Sequence, residues 1–495
     1  MKKAAAIFVS AVMTLSCGST AFAAVFEHNI DDGDLKVTSD NCNADGYLVY
    51  SLSGHKSNHK IIVNGAKTTI TLDSVKIETT DGKSAVDIGD DADVELIVSG
   101  ESYISVTGTG TEAGIHVSGG SLTISGTDSD EDILNVRSIG SNGAVIGSNN
   151  GEDFTGTITV DGGVTVNADN KGSIDGACIG SGKYGDMSGT ITINDGSVVN
   201  ANAQDYGAGI GSGESGIMSG EIIINGGDVT ANSNHFGAGI GAGDMGDFHI
   251  AGGMSGEIII NGGTVNATSA SGNGIGTGDF GGMSGSIIIN GGDVTATAAN
   301  KRNAGIGAGD GNMSGEIIIN GGTVSASSVG SIGIGTNTSE VSGDITISGN
   351  AVITLGDDNA IGANYESEGT IYLYKGAVIN GITGTDIDEL KDAGILNDNM
   401  NAEIVESTST YSLGKLGIVS RINTAKAGDT VYVYESELSK GKLPYYVLEA
   451  LAKTDNVTLV VVGENGETAE IKSSSVPEKG KNAFFTIDEL LEMVK

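Results

Sequence analysis

The chain has 495 residues, of which 81 are Gly, two are Pro and none is Trp. Glycine at this level without proline or a strict three-residue period excludes collagen, and 38% hydrophobic content argues against a disordered chain. A formal charge of −38 argues against nucleic acid or an anionic membrane as partner, and three cysteines are too few for a disulfide scaffold.

Residues 1–23 open on Lys2 and Lys3, run through apolar residues from Ala4 to Leu15, and end on Ala21-Phe22-Ala23. A positive start, a short apolar core and an A-x-A site predict a secretory signal cut before Ala24, too short to span a bilayer. Cys17 raises lipid attachment as a rival, but Thr14 stands where a lipobox has Leu, and Leu15 falls one place late. No later stretch is apolar enough to be a transmembrane span, so the protein is expected to be extracellular or at the cell surface. Residues 24–59 are expected to cap the first coil of a repeat array that begins near residue 60, because an open end would expose strand edges.

Over residues 60–384 one unit recurs. Its start reads Phe154-Thr-Gly, then Met-Ser-Gly at Met187, Met218, Met254, Met283 and Met313, then Val341-Ser-Gly. Each unit continues with an alternating strand such as Glu221-Ile-Ile-Ile, an Asn-Gly-Gly corner, a second short strand, a polar loop and Gly-Ala-Gly-Ile-Gly. Fainter copies begin near Thr69, Val94 and Ser121. Roughly eleven units of about thirty residues, each too small to bury a face alone, predict an all-β fold: a right-handed parallel β-helix. Alternation turns Ile222, Ile224 and their counterparts inward, with a second inner ladder running from Ile146 to Ile334. Asn194, Asn225, Asn261, Asn290 and Asn320 fall at one corner and suit an amide ladder from coil to coil.

These units resemble the β-helical repeats of secreted bacterial surface proteins of the carbohydrate-binding-domain type. The likeness is carried by Ala85-Val-Asp-Ile-Gly, Val94-Glu-Leu-Ile-Val-Ser-Gly and Ala113-Gly-Ile-His-Val at the start, and by the Gly-Ala-Gly-Ile-Gly and Ile-Ile-Ile-Asn-Gly-Gly units after them. It covers about two-thirds of the chain and implies a polysaccharide-lyase-like β-helix with sugar binding, but it carries no binding-residue motif across.

Beyond the repeats the composition changes. Residues 385–399 read as a linker with a helix over 386–393 leaving the rod, and 400–495 as a small α+β module. There Pro444 suits the first turn of a helix running to Lys453, residues 457–462 and 468–471 flank an Asn-Gly hairpin turn, and Thr486-Ile-Asp-Glu489 is a capping box.

Candidate chemistry is sparse. Glu221 and Glu257 are expected side by side on adjacent coils, a spacing that suits a retaining glycosidase or a Ca²⁺ ligand pair. Ser286 occupies the next coil and no basic residue accompanies them, so a solvated acidic face is the better reading. His55 and His59 have ligand spacing but no third ligand. The loops ending at Asp244 and Asp310 are similar to calcium-binding nonapeptide rolls, although the double glycine and the nine-residue period are missing. Ca²⁺ is thus the one cofactor the sequence suggests. Alternation turns Ile223, Ile259, Ile288 and Ile318 outward as an apolar stripe, either an interface or a strip covered by another segment. It also presents Thr230, Asn266, Thr295 and Ser325 outward, with Asp228, Thr264, Asp293 and Thr323 beside them, a flat polar face that suits polysaccharide or ice but is more simply read as solvated β-surface. Tyr206 and Phe236, at matching places in adjacent coils, are the best aromatic candidates to stack on a sugar. Cys178 replaces an outward glycine and lies too far from Cys42 for a disulfide.

These features favour a non-catalytic surface rod that binds carbohydrate or acts as an adhesin. A structural or protein-partner scaffold using the isoleucine stripe, through a partner or self-association, is the alternative. A polysaccharide lyase or glycoside hydrolase comes third, on fold analogy alone.

Overall fold

The computed structural model describes residues 25–405, apart from 45, 52–56, 128, 130, 173–174, 247–252, 338–340, 349–350, 375 and 384–385, together with 418, 422, 430–434, 442–454, 456–462, 468–476 and 484–493. The signal segment, Cys17 and His55 lie outside the described residues. The chain is a parallel β-helix of three long sheets, here A, B and C, with 14, 12 and 12 strands among the described residues. At parallel-strand spacing the 14 strands of sheet A make a rod roughly 60 Å long.

Each repeat supplies one strand to every sheet, and register is kept from coil to coil. In sheet A the strand Glu221–Ile224 pairs residue for residue with Glu257–Ile260, and the latter with Ser286–Ile289. The inward residues follow the alternation: Ile222, Ile224, Ile258, Ile260, Ile287, Ile289, Ile317 and Ile319 are all buried. So are Ile146, Ile179, Ile210, Ile240, Ile275, Ile306 and Ile334 in sheet B. The expected amide ladder is present. Asn225 donates to Asn194 at 2.9 Å, and Asn261, Asn290 and Asn320 each donate to the preceding asparagine at 2.8 Å.

Sheet B carries a tighter constraint. Gly147, Gly180, Gly211, Gly241, Gly276, Gly307 and Gly335 stack in one column, with φ between +124° and +141°. The residue after each glycine donates its N–H to the carbonyl of the next coil's glycine, as Ser212 does to Gly241 at 3.0 Å. That bond draws the carbonyl so close that a Cβ on Gly211 would stand 1.7 Å from the Gly241 oxygen. No side chain fits there, and the backbone conformation itself disfavours one.

The rod is longer than the repeat reading predicts at both ends. Residues 24–59 are not a separate cap: Phe26–Asn29 and Tyr47–Tyr50 are the first two strands of sheet A, and Leu35–Thr38 opens sheet B. Their alternation is real, with Leu35, Val37, Tyr47 and Val49 buried. It is masked in sequence by the acidic turn 31–34 and the polar loop 38–45. At the other end Asn401–Val405 pairs in parallel with Thr370–Tyr374, so sheet A enters the region read as the α+β module. The helix Ile387–Asp392, N-capped by Asp386, does not leave the rod. Its Leu390 is buried in the rod's own core with Ile395, Leu396 and Met400.

The C-terminal module has a second core of its own, including Ile422, Val433, Leu448, Leu459 and Leu490. Its sheet joins Thr430–Tyr434 in parallel to Thr458–Val462, which pairs antiparallel with Thr468–Lys472. The hairpin turn at 463–467 lies outside the described residues. Pro444 ends the strand Lys442–Pro444 immediately before the helix Tyr445–Ala452, one position earlier than expected. The capping box is formed: Thr486 N–H donates to Glu489 at 2.8 Å and Glu489 N–H returns to the Thr486 hydroxyl at 3.3 Å.

An ion cluster ties three coils together. His116 Nδ1 lies 2.7 Å from Asp87 and its Nε2 lies 2.9 Å from Glu152. Burial alone would lower the imidazole's pKa, but the two carboxylates outweigh it and hold His116 protonated up to about 9. The hydrogen bond from His116, against the opposing effect of burial, holds Glu152 down to about 2.

Both the glycine column and the ion cluster can be tested by substitution. Gly211→Ala should destabilise the rod by about 3 kcal/mol or more, whereas Gly33→Ala, which would meet nothing within 4 Å, should stay within about 0.5 kcal/mol of the parent, as read by urea denaturation. The His116 contribution is complete below its unfolded pKa of 6.5 and is lost as pH rises through about 9. The Glu152 contribution is complete above its unfolded 4.5 and is lost as pH falls through about 2. His116→Gln should therefore cost roughly 2 kcal/mol near pH 5.5 and flatten the alkaline fall in stability. An unchanged pH profile in the variant would refute this assignment.

Candidate ligand face on sheet C

The strands of sheet C alternate as the sequence predicts, burying Val229, Val265, Val294 and Val324 and turning their neighbours out. Thr230, Asn266, Thr295 and Ser325 stand in register on the outer face. Asp228, Thr264, Asp293 and Thr323 form an exposed column beside them.

The column of Thr230, Asn266, Thr295 and Ser325 extends further than those four residues. Toward the N-terminus it continues through Asn200, Asn167, Asn135 and Tyr103 to Lys76, one residue per coil. Two residues along each strand runs a second column: Glu78, Ser105, Arg137, Asp169, Asn202, Asn232, Thr268, Thr297 and Ser327. Both are laced lengthwise. Asn200 donates to Asn167 at 2.8 Å and Asn167 to Asn135 at 2.9 Å. In the second column Thr268 donates to Asn232 at 2.5 Å, Asn232 to Asn202 at 2.9 Å, and Asn202 to Asp169 at 3.1 Å. These bonds hold the amides in a fixed plane while leaving each with donor or acceptor capacity toward solvent.

At the N-terminal end the face sinks into a groove of about 250 Å³ lined by Lys76, Glu78, Tyr103, Ser105, Asn135, Arg137, Asn167 and Asp169. Tyr103 is 39% exposed, so much of its ring is open to contact. Its hydroxyl donates to Glu101, which also accepts from Asn135 at 3.3 Å. The ammonium of Lys76 lies 5.4 Å from the ring centroid. Sequence reasoning missed this half of the face because the early repeats are faint. The signal was present: alternation in Glu101–Thr107 and Ile133–Ile139 turns Tyr103, Asn135 and Arg137 outward together.

Tyr206 and Phe236 stack as anticipated, with centroids 5.1 Å apart and planes at 17°. They lie just past the ends of the sheet C strands Val198–Ala203 and Asp228–Ser233, at the margin of the same face. Both are half-buried, each ring covers the other, and His235 tilts against Phe236 at 3.9 Å.

The isoleucine stripe is not bare. Ile223 and Ile259 are only 5% and 6% exposed, and Ile288 and Ile318 are half-buried. Stacking of β-branched neighbours at strand spacing covers their flanks. Glu221 and Glu257 are in register and half-buried, in a column that continues as Ser286 and Glu316.

The two Gly-Ile-Gly-Ala-Gly-Asp loops differ in where their acids lie. Asp244 accepts from the N–H of Phe280 at 3.3 Å and of Gly246 at 3.2 Å, and burial raises its pKa. In the matching loop of the next coil, Asp279 accepts from Asn303 at 2.8 Å and is likewise raised by burial. Asp310, at the end of the second Gly-Ile-Gly-Ala-Gly-Asp loop, is exposed. Glu214 occupies the matching place one coil before Asp244, and Lys183, one coil earlier still, bridges Asp175 and Glu214 at 2.7 Å each. Burial pushes the Glu214 carboxyl above the ordinary range, against the pull of Lys183. Among the described residues no group of three or more His, Cys, Asp or Glu side chains is placed to hold a metal ion. His59 lies 3.4 Å from Asp34. Cys178 does not point outward: it is fully buried in the rod's core, where burial raises its thiol pKa, and Cys42 and Cys178 are both free. The next coils hold glycines at its place in sheet B, Gly209 and Gly239, whose Cβ positions face the backbone of sheet C, and the preceding coil holds Val145.

The comparison with curated proteins matches nothing, and neither does the comparison with solved structures. Four stretches, residues 191–214, 222–244, 258–279 and 287–310, match the family model described as "Beta helix repeat". Together with the three sheets, that match makes the chain a parallel β-helix repeat protein.

Proposed function

We propose that this protein is an exported, non-catalytic rod that binds a linear polysaccharide along the outer face of sheet C. The observation that carries the reading is the pair of in-register polar columns over nine strands, ending in the groove around Tyr103. A saccharide presents hydroxyls at its edge and apolar C–H groups on its ring face. Fixed amides and hydroxyls answer the first, and an exposed tyrosine answers the second. The face repeats one pattern at every coil, so a polymer laid along the rod axis gathers many weak contacts, and affinity should grow with chain length. The lysines, apolar run and Ala21-Phe22-Ala23 of residues 1–23 support export to the surface, where such polymers occur. The scaffold reading has less support, since half of the isoleucine stripe is buried.

The test is binding of the purified protein to a broad panel of polysaccharides and to oligosaccharides of increasing length. Tyr103→Ala and Asn167→Ala should each weaken binding about tenfold, or about 1.4 kcal/mol, without lowering the thermal midpoint. A folded protein that binds nothing on the panel, or variants that bind as tightly as the parent, would remove this reading.

A further inference from the structure

The −38 charge of the chain makes any cationic ground on it informative. Acids outnumber bases 63 to 25 overall, yet around the groove the three cations Lys76, Arg137 and Lys171 match the three acids Glu78, Glu101 and Asp169. Glu101 accepts from the Tyr103 hydroxyl and from Asn135. Asp169 is shared by Arg137 at 3.5 Å, Lys171 at 3.9 Å and the Asn202 amide at 3.1 Å. Arg137 is 52% exposed and only loosely paired, and Lys76 rests on the Tyr103 ring.

The placement of the two cations is diagonal. Lys76 stands in the first column on one strand, and Arg137 in the second column two strands away, with Tyr103 and Ser105 on the strand between. Their backbones are thus roughly 10 Å apart along the rod, so both side chains can reach one group seated over the middle strand. Arginine's planar fork matches an oxyanion, and a ring beside it supports the attached sugar. We infer that the N-terminal end of this face selects a saccharide carrying an anionic group, which sits over Tyr103 and Ser105 between Lys76 and Arg137. This rests on the sheet C face being a glycan site, and adds the chemical class of the sugar.

The experiment uses the whole protein and three polymers: a polyuronate, the same backbone with its carboxylates reduced to alcohols, and a sulfated polysaccharide. The parent should bind the polyuronate about tenfold more tightly than the reduced polymer. Arg137→Gln with Lys76→Gln should bring that ratio to within about twofold, whatever the absolute affinity for the reduced polymer. Lys391→Gln, on the helix that closes the rod, should leave the ratio unchanged. Comparable binding of the sulfated polymer would support charge reading without regard to the acid's identity, and its failure beside a bound polyuronate would support the carboxylate specifically. Equal binding of the polyuronate and its reduced form, or a preference that survives in the double variant, overturns the inference and leaves the glycan face standing. A folded parent that binds none of the three polymers overturns both.

Discussion

The glycine column in sheet B is the constraint on which the remainder of the rod depends. Each of its carbonyls is drawn by an N–H of the preceding coil into space that any side chain would fill, as the 1.7 Å approach at Gly211 makes plain. Coils held at that distance have no freedom to slide, because a one-residue slip would set a side chain against a carbonyl and turn every inner residue outward. The isoleucine ladders and the asparagine corner therefore inherit their register from the column as much as from their own packing. The flat polar face on sheet C is a further product of the same restriction. Residues from nine separate strands align as two straight rows only because every coil repeats its predecessor's path.

Much of this was legible in the sequence, for a physical reason. A unit of about thirty residues that must be covered by its own copy leaves a strong autocorrelation, and alternation then separates inside from outside. The inner residues from Ile222 to Ile319, the amide ladder and the four polar positions Thr230, Asn266, Thr295 and Ser325 all follow from that alone. What could not be read was any place where the copies diverge. The first coil is hidden because its corners are acidic loops of unequal length, although Leu35 and Val37 alternate with polar neighbours like any later strand. Tyr103 and Arg137 were overlooked because their repeats lack the Met-Ser-Gly landmark.

Burial is harder to infer than direction. Alternation assigns Ile223 and Cys178 to the outer side, and neither is exposed. Ile223 keeps the strand period and is covered all the same, whereas Cys178 lies just before the two-residue strand Ile179–Gly180, where alternation does not set direction, and its side chain joins the core. The His116 cluster shows the same limit. Asp87, His116 and Glu152 are separated by 29 and 36 residues, intervals set by the lengths of two different repeats. Only stacking makes them neighbours, and nothing in the local sequence marks them as a unit.

The end of sheet C has a consequence for assembly. Its last parallel strand, Val378–Ile379, turns through Asn380 and Gly381, both at positive φ, and pairs antiparallel with Ile382–Thr383. A stack of parallel strands is in principle a template that another chain's strand can extend without limit. Here the final partner runs the wrong way for that template, and the helix bearing Leu390 fills the core beneath it. The rod thus carries its own chain terminator. A neighbouring copy that met this edge would face a strand of only two residues, too short to template a long ladder.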